Sequence, residues 1–132
     1  MKATLADSMM DEMRNVINSA LGSTATLKGR DGTVPASIGA GDSGSVIANI
    51  ALGNPVFLGV SGGSCGLNGS TDDTNTGAGT VTYWRMYDSS VGTIFQWTEG
   101  ADFVTDDPSF ASGDTCHIVD ITLAFTISPP DA

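Results

Sequence analysis

Thr80-Val81-Thr82-Tyr83-Trp84-Arg85-Met86-Tyr87 carries bulk on both of its faces once it is read as an extended segment. Successive side chains of a strand alternate. Val81, Tyr83, Arg85 and Tyr87 therefore share one face, and Thr82, Trp84 and Met86 share the other. A strand with large groups on both sides is either central in its sheet or in contact with a second chain. The closing run reads differently. There Val119, Ile121, Leu123, Phe125 and Ile127 alternate with Asp120, Thr122, Ala124, Thr126 and Ser128, which predicts one buried face and one wet face.

Working outward from these two runs, the chain after Gly22 breaks into short β-type segments separated by Gly, Asp, Ser and Pro. The predicted strands are Thr24 to Gly29, Ser45 to Leu52, Val56 to Val60, Gly79 to Tyr87, Thr93 to Thr98, Ala101 to Val104 and Thr115 to Ser128. About seven short strands predict a mainly β fold, a single β-sandwich or barrel-like domain. Two long connections separate them. Ser61 to Gly79 is nearly all small and polar with Leu67 as its one large apolar residue, and Arg30 to Gly44 contains the turn dipeptide Asp31-Gly32 and Pro35.

Before Gly22 the period changes. Leu5, Met9, Met13, Val16, Ile17 and Ala20 recur at spacings of three and four, which predicts an amphipathic helix over Thr4 to Leu21. Thr4 is its expected N-cap, Asp7, Asp11 and Glu12 suit the positive end of the helix dipole, and Gly22 is the stop. The chain thus divides into a helix over 1–22 and a β domain over 23–132.

The 132 residues suffice for one domain, which at this size buries roughly 65% of its unfolded surface. Five basic and 15 acidic side chains give a net charge of −10, and the bases Lys2, Arg14, Lys28, Arg30 and Arg85 are scattered. Such a chain repels phosphate backbones, so nucleic-acid binding is not expected. No segment approaches a membrane span, and the N-terminus turns acidic at Asp7, where a signal peptide needs an apolar run. Cys65 and Cys116 permit one disulfide at most and match neither a zinc nor a redox spacing; two partly buried free thiols are expected.

Four motifs carry possible chemistry and each fails on context. Gly59-Val60-Ser61-Gly62-Gly63 has the letters of a nucleophile elbow, but no helical pattern follows it. Cys65 and His117 would make a thiol and its base only if folding brings them together, and Cys116 and His117 point to opposite faces of a strand. His117 is read on the buried side of that strand, as a structural histidine. Asp72-Asp73, Asp102 and Asp106-Asp107 lack calcium-loop spacing and read as solvated turns. Tyr83, Trp84, Tyr87, Phe95, Trp97 and Phe103 read as an aromatic core rather than a sugar-binding strip. The expectation is a protein that is not an enzyme, with no catalytic residues, no cofactor and no metal.

The order of segments resembles a family of small virion-associated β proteins of tailed bacteriophages and prophages. The likeness is carried by the N-terminal helix, Arg30-Asp31-Gly32-Thr33-Val34-Pro35-Ala36, Gly44-Ser45-Val46-Ile47-Ala48 and Asn54-Pro55-Val56-Phe57. It continues through Gly79 to Asp88, Gly100-Ala101-Asp102-Phe103 and the closing strand to Ser128-Pro129-Pro130. Lys28-Gly29-Arg30-Asp31-Gly32 departs from the family's aromatic followed by Asp-Gly, and the loop around Cys65 is individual. The resemblance implies a virion-associated structural protein assembled in the host cytoplasm and does not fix its position in the particle. The compact β body with a Met-rich helix makes a capsid decoration (cement) protein on the head shell the first expectation, and a tail or tail-fibre module that contacts a receptor the alternative. The expected partners are the major capsid protein or a neighbouring virion protein, and a homo-oligomer, with a trimer favoured. The Met-rich helix is the expected contact, through Met9, Met10, Met13, Val16 and Ile17.

Overall fold

The computed structural model describes residues 6–62, 64–69, 72–99, 107–118 and 121–124. The fold is mainly β, with one helix ahead of the strands. Helix α1 spans Asp7–Leu21, and its entry differs from the sequence expectation. Ala6, in extended conformation, occupies the N-cap position with no side-chain cap, and Thr4 lies outside the described residues. The stop is as expected: Gly22 takes φ 77° and its N–H reaches the Asn18 carbonyl. A left-handed residue at that place favours glycine because there is no Cβ to crowd the preceding turn.

The main sheet is antiparallel and contains β1 (Thr26–Arg30), β2 (Val46–Ala51), β6 (Tyr83–Tyr87) and β7 (Thr93–Thr98), in the order β2-β1-β6-β7. Three two-stranded ladders complete it. They pair β3 (Ser64–Gly66) with β10 (Thr122–Ala124), β4 (Asp72–Asp73) with β9 (Cys116–His117), and β5 (Gly79–Thr80) with β8 (Ser109–Phe110). The β7 boundaries match the sequence reading at both ends, while the predicted strand Gly79 to Tyr87 divides into β5 and β6. The expected loop Ser61 to Gly79 is not featureless: it supplies β3 and β4 and opens β5. Short segments of this kind are held by their partners rather than by their own β propensity, so composition does not reveal them. Val56 to Val60 is not one of these strands, but Phe57 bridges Leu67 in antiparallel sense, with the Leu58 N–H donating to the Gly66 carbonyl at 2.9 Å and the Asn68 N–H to the Val56 carbonyl at 2.8 Å. The predicted strand Ala101 to Val104, and most of the closing run, lie outside the described residues.

β6 is central and all five of its residues are buried, as its two bulky faces predicted. On one face Trp84 and Met86 lie opposite Gly29 and Leu27 of β1 and opposite Trp97 and Phe95 of β7. That face meets Val56, Phe57, Cys65, Cys116, Ile118 and Ile121 in a single hydrophobic cluster, closed at one end by Leu21. Phe95 stacks on Trp97 at 5.6 Å and meets Phe57 edge-on at 6.2 Å, so these aromatics are interior packing. Gly29 has a steric reason: a Cβ there would stand 3.0 Å from both the Trp84 ring and Val81.

The other face of β6 is polar and is roofed by the connection from Asp31 to Ser45. Arg85, 2% exposed, donates from Nη1 to Asp42 at 2.9 Å, from Nη2 to the Ser37 carbonyl at 3.1 Å and from Nε to Gln96 at 2.8 Å. Arg30 closes on Asp42 at 3.2 Å, and the Tyr87 hydroxyl donates to the same carboxylate at 2.8 Å. Tyr83 accepts from the Ser43 N–H and donates to the Ser43 carbonyl, both at 2.8 Å. A long polar loop is thereby fixed as a second layer over the sheet, and Asp42, bonded on three sides, is its anchor. Partial burial by itself would raise the Asp42 pKa. The Tyr87 hydroxyl and the two guanidiniums outweigh burial and hold the carboxyl below its ordinary value.

Candidate functional site

The sequence candidates for chemistry are dispersed. Ser61 pairs with Ser64, and among the described residues no helix follows it. Cys65 is buried in β3 opposite Leu123, whereas Cys116 is buried in β9 opposite Asp73, and no disulfide joins them. Burial raises the Cys65 thiol and pushes Cys116 up to about 12, aided in the latter by the carboxylates of Asp73, Glu99 and Asp72. Neither has the character of a nucleophile.

His117 corrects its expected side. Cys116 and Ile118 point inward and His117 is exposed, bonded through Nδ1 to Asp72 across the β4–β9 ladder. Ile121 is buried, as its place in the closing alternation requires, and Val119 and Asp120 lie outside the described residues. The acidic turns are occupied by local work. Asp73 accepts the Asn49 and Asn75 N–H groups, Asp107 accepts that of Ser109, and Asp114 that of Ala111. An open depression of about 360 Å³ is lined by Asp107, Ser109, Phe110, Asp114, Thr115 and His117. Two of its three acidic or imidazole groups are those caps, and they converge on no common point. Among the described residues no group of three or more His, Cys, Asp or Glu side chains is placed to hold a metal ion. Asp102 and Asp106 lie outside the described residues.

The distinctive surface is on α1. The helix is bolted to the body by side chains that bond the backbone groups of Phe57 and Val60 not taken by Gly66 to Asn68. Asn18 does this as a peptide group would: its Nδ2 donates to the Phe57 carbonyl at 3.0 Å and its Oδ1 accepts the Phe57 N–H at 2.9 Å. Arg14 Nη1 donates to the same carbonyl at 3.2 Å, and Asp11 accepts the Val60 N–H at 2.9 Å. That N–H and the Arg14 guanidinium hold the Asp11 carboxyl below its ordinary pKa. Asn18→Ala removes both of its bonds to Phe57, orphaning the part-buried N–H and leaving the carbonyl to Arg14 alone. The expected loss is about 1–3 kcal/mol, read as a lowered urea midpoint with an unchanged slope.

These bonds fix the angle at which the helix sits. Met10 is 4% exposed, Leu21 is fully buried and Ile17 packs against the core. Met9 (50%), Met13 (42%) and Val16 (69%) remain exposed, as does Ala20. The expected contact set is therefore divided. Met10 belongs to the chain's own interior, Ile17 largely so, and Met9, Met13 and Val16 stand outside. Sequence periodicity had placed Met9, Met13, Val16, Ile17 and Ala20 on one stripe, but the apolar arc is wider than the body can cover. At ~100° per residue the exposed stripe is centred about 90° around the helix from the packed Met10, Ile17 and Leu21. The inner face is specified by Arg14 and Asn18, polar residues that hydropathy assigns to the solvent side.

Among the described residues no helix is long and apolar enough to cross a membrane. In comparisons with known proteins, no family model, no curated protein and no solved structure matches this chain.

Proposed function

We propose that this protein is a non-catalytic structural component of a tailed-phage particle, in the first instance a capsid decoration protein, and that the exposed flank of α1 is its assembly surface. The observation that carries the assembly role is the row Met9, Met13, Val16 on a helix that four side-chain hydrogen bonds lock to a β body. An apolar row held rigidly in water favours a contact that covers it. Methionine suits such a contact because its unbranched side chain adapts to the surface it meets. The assignment to a virion is supported by the sequence resemblance from the Arg30 to Ala36 segment through the Gly79 to Asp88 strand. On a head lattice, weak contacts repeated over many copies add through multivalency and reinforce the shell.

Immunogold electron microscopy of intact particles with antibody to this chain tests the virion assignment, with label over the head as the expected result. Label confined to the tail replaces decoration by the tail reading, and particles without label reject both. The surface itself is tested with Val16→Glu, whose fold should persist because Val16 touches solvent. An ionised carboxylate pressed into an apolar contact is strongly penalised, so binding to heads should fall by about tenfold or more. Undiminished binding would remove α1 from the role.

A further inference from the structure

We propose that the polar face of the main sheet is a carboxylate-binding site, and that Asp42 occupies it as an internal ligand which a carboxylate from outside can replace. The site is independent of the assembly role assigned to α1 and lies on other elements. Three observations carry it, and the first is charge. The strand residues on this face include Lys28, Arg30 and Arg85, three of the five bases of the chain, and among the described residues no acid. These bases are far apart in sequence; the β1–β6 register gathers them by setting Lys28 opposite Arg85. Lys28 Nζ lies 5.4 Å and the Arg30 guanidinium 6.0 Å from the centroid of the Tyr87 ring. In a chain of net charge −10, a sheet face built from cations alone is a local attractor for anions.

The second is geometry. Asp42 Oδ1 accepts from Arg85 Nη1 at 2.9 Å and from the Tyr87 hydroxyl at 2.8 Å, and Oδ2 accepts from Arg30 Nη2 at 3.2 Å. All three donors stand on β1 and β6, and only the acceptor comes from the connection above them. Charge-assisted bonds to both oxygens make a receptor for a planar carboxylate. The receptor is also held in shape by bonds that do not involve Asp42. Gln96 and the Ser37 carbonyl fix Arg85, while the Tyr87 hydroxyl and the Gly44 carbonyl fix Arg30.

The third is access. The Asp42 side chain is 32% exposed, although the Arg85 side chain beneath it is only 2% exposed. Gly41, just before it, has no heavy atom within 4 Å of the place a Cβ would take, so the space beside Asp42 is open. Asp42 can turn its carboxylate out to water while Ser37 and Ser43 keep the connection on the sheet. The three bonds then pass to the incoming carboxylate, and the buried guanidinium keeps the counter-charge that its burial requires. Because Asp42 is tethered, it competes at an effective concentration of about millimolar or more, so an outside carboxylate binds the wild-type chain weakly.

Acetate is the probe, with chloride at equal ionic strength as control. In Asp42→Ala the internal ligand is gone, and acetate should raise the urea midpoint along a saturating curve while chloride does not. Asp42→Asn fills the place with an amide and should gain nothing from acetate. The wild-type chain, followed by NMR, should show saturable acetate shifts at Arg30, Asp42 and Ser43, at a concentration about tenfold or more above that which Asp42→Ala needs. That titration requires no variant to fold. A capped peptide whose sole carboxylate is an Asp side chain, titrated beside acetate, names the source of the ligand. Saturation at lower concentration by the peptide makes it a protein side chain, by acetate a small carboxylic acid, and either result upholds the site. An Asp42→Ala midpoint that moves alike in acetate and chloride, an Asp42→Asn chain rescued as well as Asp42→Ala, or a wild-type chain without saturable shifts would each overturn the inference.

Discussion

Arg85→Ala is expected to destabilise the protein by about 3–5 kcal/mol, the usual effect of removing one partner from a buried ionic cluster. Against a total stability of roughly 5–15 kcal/mol for a domain of this kind, that is a large fraction. The reason is the number of groups that Arg85 satisfies at once. Its guanidinium bonds Asp42, the Ser37 carbonyl and Gln96, and Gln96 Nε2 in turn donates to the Pro35 carbonyl. Alanine leaves a void between β6 and the Asp31 to Ser45 roof and strips Asp42 of one of its two cations. Arg85→Met restores most of the volume but none of the bonds, so the part of the loss that it fails to recover is the polar part. Urea unfolding of the two variants beside the wild type measures both quantities.

The same cluster sets the response to acid. The Asp42 carboxyl is held below its ordinary pKa in the folded chain, so it binds its proton more readily once unfolded. Its contribution is therefore complete above the unfolded value of about 3.9 and is lost as pH falls through the depressed folded value. In Arg85→Ala only Arg30 and Tyr87 remain to depress Asp42, and the acid-induced loss of stability should flatten between those two values. An unchanged acid limb would mean that Arg85 contributes volume rather than charge.

Much of this arrangement is legible in the sequence, and the parts that are not share a cause. The two faces of Tyr83 to Tyr87, the limits of Thr93 to Thr98 and the stop at Gly22 follow from residue type at short range. Asp42 was one carboxylate in a polar loop, and its role depends on Arg85, 43 residues further on. Asn18 likewise reads as a polar position in an amphipathic helix until Phe57, 39 residues away, turns out to need its amide. Periodicity gave α1 an apolar arc but not the half that the body would take, because the docking angle is set by those amide bonds. The ladders β3–β10, β4–β9 and β5–β8 escaped for the same reason, since two- and three-residue strands have no pattern of their own.

Gly29 and Trp84 make the second large prediction, and a double-mutant cycle is its measure. Trp84 is fully buried at the centre of the sheet, so Trp84→Ala should destabilise by about 3–5 kcal/mol through lost contacts and the cavity left behind. Gly29 lies opposite it in register, and a Cβ on Gly29 would stand 3.0 Å from Trp84 Cη2, from Cζ3 and from Val81 Cγ1. A flexible side-chain end would give way, but here the neighbours are a packed indole and the branched end of a buried valine. Gly29→Ala alone should therefore destabilise by about 1–3 kcal/mol, as overpacking does. In the Trp84→Ala background the indole is absent, Val81 can yield into the vacated space, and the same substitution should be much less harmful than in the wild type. The coupling between the two sites then carries a sign opposite to simple addition of two losses. If Gly29→Ala were equally harmful in both backgrounds, the requirement for glycine would come from the register shift between Gly29 and Arg30 against β2 rather than from the ring. That outcome would move the constraint from the core face of the sheet to its hydrogen-bond ladder.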